Sequence, residues 1–226
     1  MAAKVDPKME RLYWLGRYIE RTYTSIRAVK LLAEDYVQGD EAEYSKYCRR
    51  LGIPNVYKDT DEFMTKYLFD ETDPHSVMST LHHACRNARL LADVIPDETL
   101  AYIRMARTAM EAAATSQEAE IELQWVLDDI MAFRGSCCEY VEERAYRNII
   151  KTGTSIERLT LFLRLGHEHE LRRKELKKLL SRLYKSQLAV NPVMRNRLID
   201  NVLEKETPTI PVSEQLQCVE NLLVDL

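Results

Sequence analysis

Two short stretches carry the residue types from which a charged site would be built. "LGRYIER" spans residues 15–21 and "TGTSIER" spans 152–158. The longer frame Gly16-x-x-Ile19-Glu20-Arg21-x5-Arg27 is matched by Gly153-x-x-Ile156-Glu157-Arg158-x5-Arg164. The dipeptide Glu-Arg alone says nothing, because it also occurs at 10–11 and 143–144. The glycines make the frame informative: two of only six in the chain take the same place in it. Glycine inside a helix costs about 1 kcal/mol relative to alanine, and it suits a place where another backbone or a ligand comes close.

Such a frame admits two kinds of chemistry. In the first, Glu20 meets Arg158 and Glu157 meets Arg21 across two packed helices, an arrangement that sets register and adds little net stability. In the second, Arg17, Arg21 and Arg158 line a polar pocket with the two glutamates, where guanidinium forks hold a carboxylate or phosphate. A third group, Arg86-Asn87-Ala88-Arg89, places two arginines three residues apart on one helical face. An arginine from this group directed at the two motif copies would make one anion-binding pocket from three helices. Arg17, Glu20, Arg21, Arg86, Asn87, Arg89, Glu157 and Arg158 are therefore the ligand- or partner-binding candidates, and no catalytic residue is assigned.

Other chemistries find no support in the sequence. None of His75, His82, His83, His167 and His169 follows a glutamate at the Glu-x-x-His spacing of di-iron bundles, and no HExxH occurs. His167-Glu168-His169 reads as an exposed turn. Asp93-x-x-x-Asp97 is split by Pro96, and Asp128-Asp129 stands alone. There is no Walker A and no dinucleotide fingerprint, so neither a metal nor a cofactor is expected. The five cysteines, among them the neighbours Cys137 and Cys138, lack CxxC spacing and read as reduced thiols.

The elements that must position these residues read as helix nearly throughout. Asp6-Pro7 is a helix start, a carboxylate cap followed by proline. Leu12, Leu15, Ile19, Ile26, Val29 and Ala33 then recur at three- and four-residue spacing, with Gly39 as the stop. Short helices are predicted near 41–51 and 60–69. Longer ones are predicted from Asp73-Pro74 to about 94, from 97 to about 114, and from Ser116 as cap to about 133. "RGS" at 134–136 reads as a break before one long helix, 137–165. A basic helix follows at about 170–188. Another starts at Asn191-Pro192 and runs to about 205, and Ser213 caps a last short one. No strand-like alternation is present. The fold class expected is all-α, a bundle of about seven to nine helices in which the two motif-bearing helices pack together.

At 226 residues the chain suits one sizeable core, a single domain over 1–226 with the motifs within about 7–165 and a C-terminal helical extension at about 166–226. Hydrophobic residues are 46% and charged residues 30%, the balance of an ordinary globular chain. A net charge of −4 argues against nucleic acid as a partner. No apolar run is long enough for a membrane span, and the N-terminus lacks a signal-peptide core, so a cytoplasmic location is expected. Charge is uneven along the chain. Residues 172–185 carry seven Lys/Arg and one Glu, whereas 201–226 carries five acidic residues and one Lys. Either the two regions pair, within the chain or across a homodimer, or the basic helix offers a docking face to an acidic partner.

The motifs, taken in order, also carry a resemblance. "ERLYWLGRYIERTYTSIR", "DPHSVMSTLHHACRNARLLADVI" and "AFRGSCCEYVEERAYRNIIKTGTSIERL" together resemble the Alpha-E family, a bacterial helical domain named for its Glu-Arg motif. Thr154 and Ser155 stand where that family more often has Gly-Arg-Arg. The resemblance implies a context: such genes commonly sit beside, or are fused to, a circularly permuted ATP-grasp protein, and lie near a transglutaminase-like peptidase. ATP-grasp enzymes join carboxylates to amines through an acyl phosphate. The resemblance therefore implies a helical partner or substrate-binding component of a peptide- or amide-forming ligase. The alternatives are a stand-alone enzyme of acyl or amide transfer using the same pocket, and a purely structural interaction module.

Overall fold

A computed structural model describes residues 6–37 and 43–224. Ten α-helices lie among them: α1 Pro7–Val37, α2 Glu43–Leu51, α3 Thr60–Phe69, α4 Val77–Arg89, α5 Asp97–Ala113, α6 Ala119–Tyr140, α7 Arg144–Leu165, α8 His169–Ser186, α9 Pro192–Leu198 and α10 Val212–Glu220. A π-helical turn, Ile199–Leu203, prolongs α9. The all-α class is as expected. The described residues contain no strand, only an isolated bridge between Val190 and Leu223.

The chain groups into two compact units. Among the described residues, 6–17 and 143–224 form one, and 18–37 with 43–142 form the other. Each unit receives one copy of the frame's Glu-Arg pair, Glu157-Arg158 in the first and Glu20-Arg21 in the second. The expected stop at Gly39 lies outside the described residues.

In the first unit, α7 packs against α8 and α10, and α9 packs against α10. Helix α7 is buried on nearly every side, through Ile149, Ile150, Ile156, Leu159, Leu161 and Leu163 as well as the small polar residues between them. Leu176, Leu179 and Leu183 give α8 its buried stripe, as their spacing predicts. Asn191 caps α9, its Oδ1 accepting from the amides of Val193 and Met194, while its own amide donates to Leu222 O at 2.9 Å and ties down the chain end. Ser213 does not cap α10; that helix opens at Pro211 without a side-chain cap. The basic helix touches the acidic region through Arg173, whose guanidinium donates to Leu203 O. Glu214 pairs with Arg197 and Glu220 with Arg164, whereas Lys174 and Lys178 of α8 meet Glu170 and Glu175 of their own helix.

In the second unit, α3, α4, α5 and α6 pack in sequence. Phe63 is fully buried at the centre of an aromatic cluster, with the rings of Tyr44, Tyr47, Tyr57 and Tyr67 at 5.1–5.9 Å. Burying one such ring stabilises by roughly 1.5–3 kcal/mol, which is how two helices as short as α2 and α3 are held. Several boundaries fall elsewhere than predicted: α4 ends at Arg89 rather than near 94, and α6 begins at Ala119 after Glu118, with no side-chain cap from Ser116. Helix α4 starts at Ser76, whose hydroxyl accepts from Ser79 N, and Asp73 instead holds the preceding turn by accepting from His75 N at 2.8 Å. Helix α6 runs straight through "RGS", and the break comes at 141–143, where Val141 is fully buried and Glu143 caps α7. Gly135 keeps helical geometry, and a Cβ added to it would meet no atom within 4 Å, so glycine composition alone is a misleading stop signal here.

Candidate functional site

The repeated frame first resolves into a backbone crossing. A Cβ added to Gly16 would lie 2.1 Å from Ile150 O and 3.0 Å from Thr154 N. A Cβ added to Gly153 would lie 2.1 Å from Tyr13 O and 3.2 Å from Arg17 N. Each glycine therefore meets the carbonyl three residues before the other and the amide one residue after it. The first part of α1 and α7 are related by a local two-fold axis, and only hydrogens fit between them, the geometry of Cα–H···O contacts. This is the packing of the two motif helices that the frame predicts, with the glycines at the crossing. The hydroxyl of Thr154 reinforces it, donating to Ile150 O at 3.0 Å and lying 3.4 Å from Gly16 O.

Each unit has its own buried carboxylate from the frame. In the first unit Glu157 is 1% exposed, and its Oε2 accepts from Arg17 Nε at 2.7 Å. Arg17 also reaches Tyr13 OH at 3.4 Å and lies over the Trp14 ring, 4.9 Å from its centroid. Burial lowers the pKa of Arg17, but the Glu157 carboxylate beside it more than offsets this, and the net shift is upward. The position in the second copy that corresponds to Arg17 is Thr154, so the frame carries no second arginine there.

A second buried carboxylate adjoins the motif on α7. Glu175 of α8 is 2% exposed; its Oε1 accepts from Ser155 Oγ at 2.5 Å, and its Oε2 lies 3.5 Å from Arg158 Nη1 and 3.4 Å from Lys178 Nζ. Arg182 completes the group. It bonds Ser155 and Lys151 O and lies 3.5 Å from Glu175 Oε1. The partner of Arg158 in this unit is thus a glutamate that the motif does not contain.

In the second unit Glu20 is equally buried. It accepts from Arg134 Nη2 at 2.5 Å and from Thr24 Oγ1 at 2.9 Å. Arg134, on α6, stacks over Tyr23 with its guanidinium carbon 4.6 Å from the ring centroid. Arg21 is half-buried, and its charge acts on the phenol of Tyr67. That phenol donates to Ser25 at 3.1 Å, and burial raises its pKa in spite of Ser25 and Arg21.

Arg86 and Arg89 are exposed, and Asn87 is half-buried. Arg86 lies near His83, which stacks on Tyr18 at 5.4 Å. Arg89 lines a cavity between α4 and α5 together with Arg104 and Arg107. Among the described residues neither Arg86 nor Arg89 forms an ion pair with an acidic neighbour.

Sequence reasoning misses Arg134, Ser155, Glu175 and Arg182 as site residues. Glu175 and Arg182 do leave a signal: with Leu179 they follow the i, i+4, i+7 rule, which puts both charges on the inward face of α8. Arg134 is obscured because its neighbourhood reads as a helix break. No group of three or more His, Cys, Asp or Glu side chains among the described residues is placed to hold a metal.

A family model described as "a predicted alpha-helical domain with a conserved ER motif", Alpha-E, matches residues 8–191. The chain belongs to the Alpha-E family. The match covers both glycine–Glu-Arg frames and extends through α8, so it includes Glu175 and Arg182. No curated protein and no solved structure matches significantly. Within the matched residues, the two frame glutamates Glu20 and Glu157 are buried, and each is bonded to an arginine outside its own Glu-Arg pair. No helix among the described residues is long and apolar enough to cross a membrane.

Proposed function

We propose that this Alpha-E protein is the helical, non-catalytic partner of an ATP-grasp-type peptide or amide ligase, acting in the cytoplasm, with the Glu-Arg frames as internal joints of its scaffold. The observation that carries the scaffold part is the burial of Glu20 and Glu157, each 1% exposed and each held by an arginine. A carboxylate that reacts or moves protons must reach its substrate within hydrogen-bond distance. One sealed against water by a charge-assisted bond is suited instead to holding two helices in register. The ligase as partner rests on the family resemblance of the three motifs.

The test is co-expression with a circularly permuted ATP-grasp-type protein of the kind the resemblance implies, taken from the same genome. The expected result is a complex that survives purification, with ATP-dependent amide formation only when the ligase is present. Amide formation by this chain alone from ATP and amino acids would establish the enzyme reading instead. No complex, together with no change in ligase turnover, would leave a structural module with another partner. Light scattering of the purified chain decides whether it is a homodimer.

A further inference from the structure

A cavity of about 220 Å³ opens between α4 and α5. Its walls include Ala88, Ala92, Leu100 and Ile103, all apolar. Its rim carries three guanidinium groups, those of Arg89, Arg104 and Arg107. They differ in what already engages them. Arg104 donates to Asp97 Oδ1 at 3.1 Å. Arg107 faces Glu111 Oε1 at 3.3 Å through Nε, but that buried Nε makes no hydrogen bond. Arg89 forms neither an ion pair nor a hydrogen bond among the described residues.

Asp97 and Glu111 balance two of the three charges, which leaves one positive charge over an apolar floor. Guanidinium N–H donors left unused beside an apolar floor suit an acceptor anion. The residual charge of one matches a monoanion better than a phosphate dianion, and the walls match an apolar body. The volume is below the 300–1,000 Å³ or so that admits drug-sized ligands, so the body is short. Cys85 lines the same cavity. Arg107 and Arg89 draw its thiol pKa down, but burial outweighs them and pushes it up to about 11, so the thiol is neutral at physiological pH.

We propose that the α4–α5 cavity binds a small organic monocarboxylate, with its carboxylate between Arg89 and Arg107 and its aliphatic or aromatic body against Leu100 and Ile103. This site uses the Arg-x-x-Arg helix that the sequence singled out, and it does not depend on the ligase reading.

The experiment is calorimetric titration of the full chain with hexanoate and with benzoate. A second readout is the rate of Cys85 alkylation by iodoacetamide, followed by peptide mass spectrometry. Hexan-1-ol supplies the apolar body without the charge, and sulfate supplies an anion without the body. At least one carboxylate is expected to saturate with a Kd of about 1 mM or tighter and to slow Cys85 alkylation, with hexan-1-ol about tenfold weaker. Arg89→Gln, an exposed change that the fold tolerates, is expected to weaken binding about tenfold. Arg86→Gln, outside the lining, is expected to leave it unchanged. The proposal fails if neither carboxylate saturates or slows alkylation, if hexan-1-ol binds as well as hexanoate, if sulfate competes as well as the carboxylates, or if Arg89→Gln binds like the wild type.

Discussion

At the scale of single residues, glycines separate by what surrounds them. Gly16→Ala and Gly153→Ala each place a methyl group onto a backbone carbonyl at 2.1 Å, and a carbonyl in a helix cannot swing aside as a side chain can. Overpacking usually costs about 1–3 kcal/mol, and here both helices would have to separate, so each substitution is expected to fall at or above the upper end of that range. Gly135→Ala is the control. It lies mid-helix with open space around it, so the lower chain entropy of alanine should raise stability by roughly 0.5–1 kcal/mol. Urea denaturation of the three variants checks both signs, and a destabilised Gly135→Ala or a neutral Gly16→Ala would contradict the crossing geometry. The buried carboxylates give a second prediction. Glu157→Ala leaves Arg17 without its carboxylate, and Glu20→Ala does the same to Arg134. Breaking a buried pair costs about 3–5 kcal/mol; these arginines keep some exposure, 14% and 18% of their side chains, so about 2–4 kcal/mol is expected from each. Thermal melts close to wild type would mean that the glutamates are not structural joints.

At the scale of the element, the helix boundaries follow caps and burial more than composition. Ser76 is fully buried and caps α4 through Ser79 N at 3.0 Å. Ser76→Ala should therefore cost about 1–2 kcal/mol, at the upper end for an N-cap because the orphaned amide is buried too. Chemical denaturation measures the cost. A loss under about 0.3 kcal/mol would move the functional cap elsewhere, with Asp73 the natural candidate. Helix α8 combines two periodicities. Its leucines bury one stripe, and Glu175 and Arg182 carry charge inward along the same face. Arg173 grips the π-helical turn from this helix, donating through Nε and Nη2 to Leu203 O at 3.1 and 2.8 Å. The basic helix thus spends part of its charge on internal carbonyls and carboxylates.

At the scale of the whole molecule, each unit contains a histidine whose charged form is disfavoured. His83 is lowered below 6.5 by burial, and further by Arg86 and His82. His167, packed on Phe162 with ring centroids 4.6 Å apart, is lowered by burial. Below pH 6.5 the unfolded chain binds these protons more readily than the folded one, so stability there rises with pH. Their contribution is fully present above the unfolded value and is lost as the pH falls through it towards the folded values. The urea midpoint should therefore drop between about pH 7 and 5. His83→Phe, which keeps an aromatic ring against Tyr18, should flatten that dependence. An unchanged slope in this variant would assign the acid sensitivity to other groups.

Much of this molecule was legible in its sequence because the signals were local. Helical periodicity placed Leu12, Leu15, Ile19, Ile26 and Val29, all of which are buried. Asp6-Pro7 and Asn191-Pro192 marked true helix starts, since a cap and its amides lie within one turn. The doubled Gly-x-x-Ile-Glu-Arg frame pointed to a crossing between two helices, because only glycine permits so close an approach. Partner choice was not legible. Nothing local distinguishes Arg134 from other arginines as the donor to Glu20, or Glu175 as the acceptor near Arg158, since those pairs depend on how distant helices are laid together. Nor could spacing show that "RGS" stays helical while the break waits for Val141. A buried valine at that point outweighs a glycine's weak preference, and burial exists only once the tertiary structure has formed.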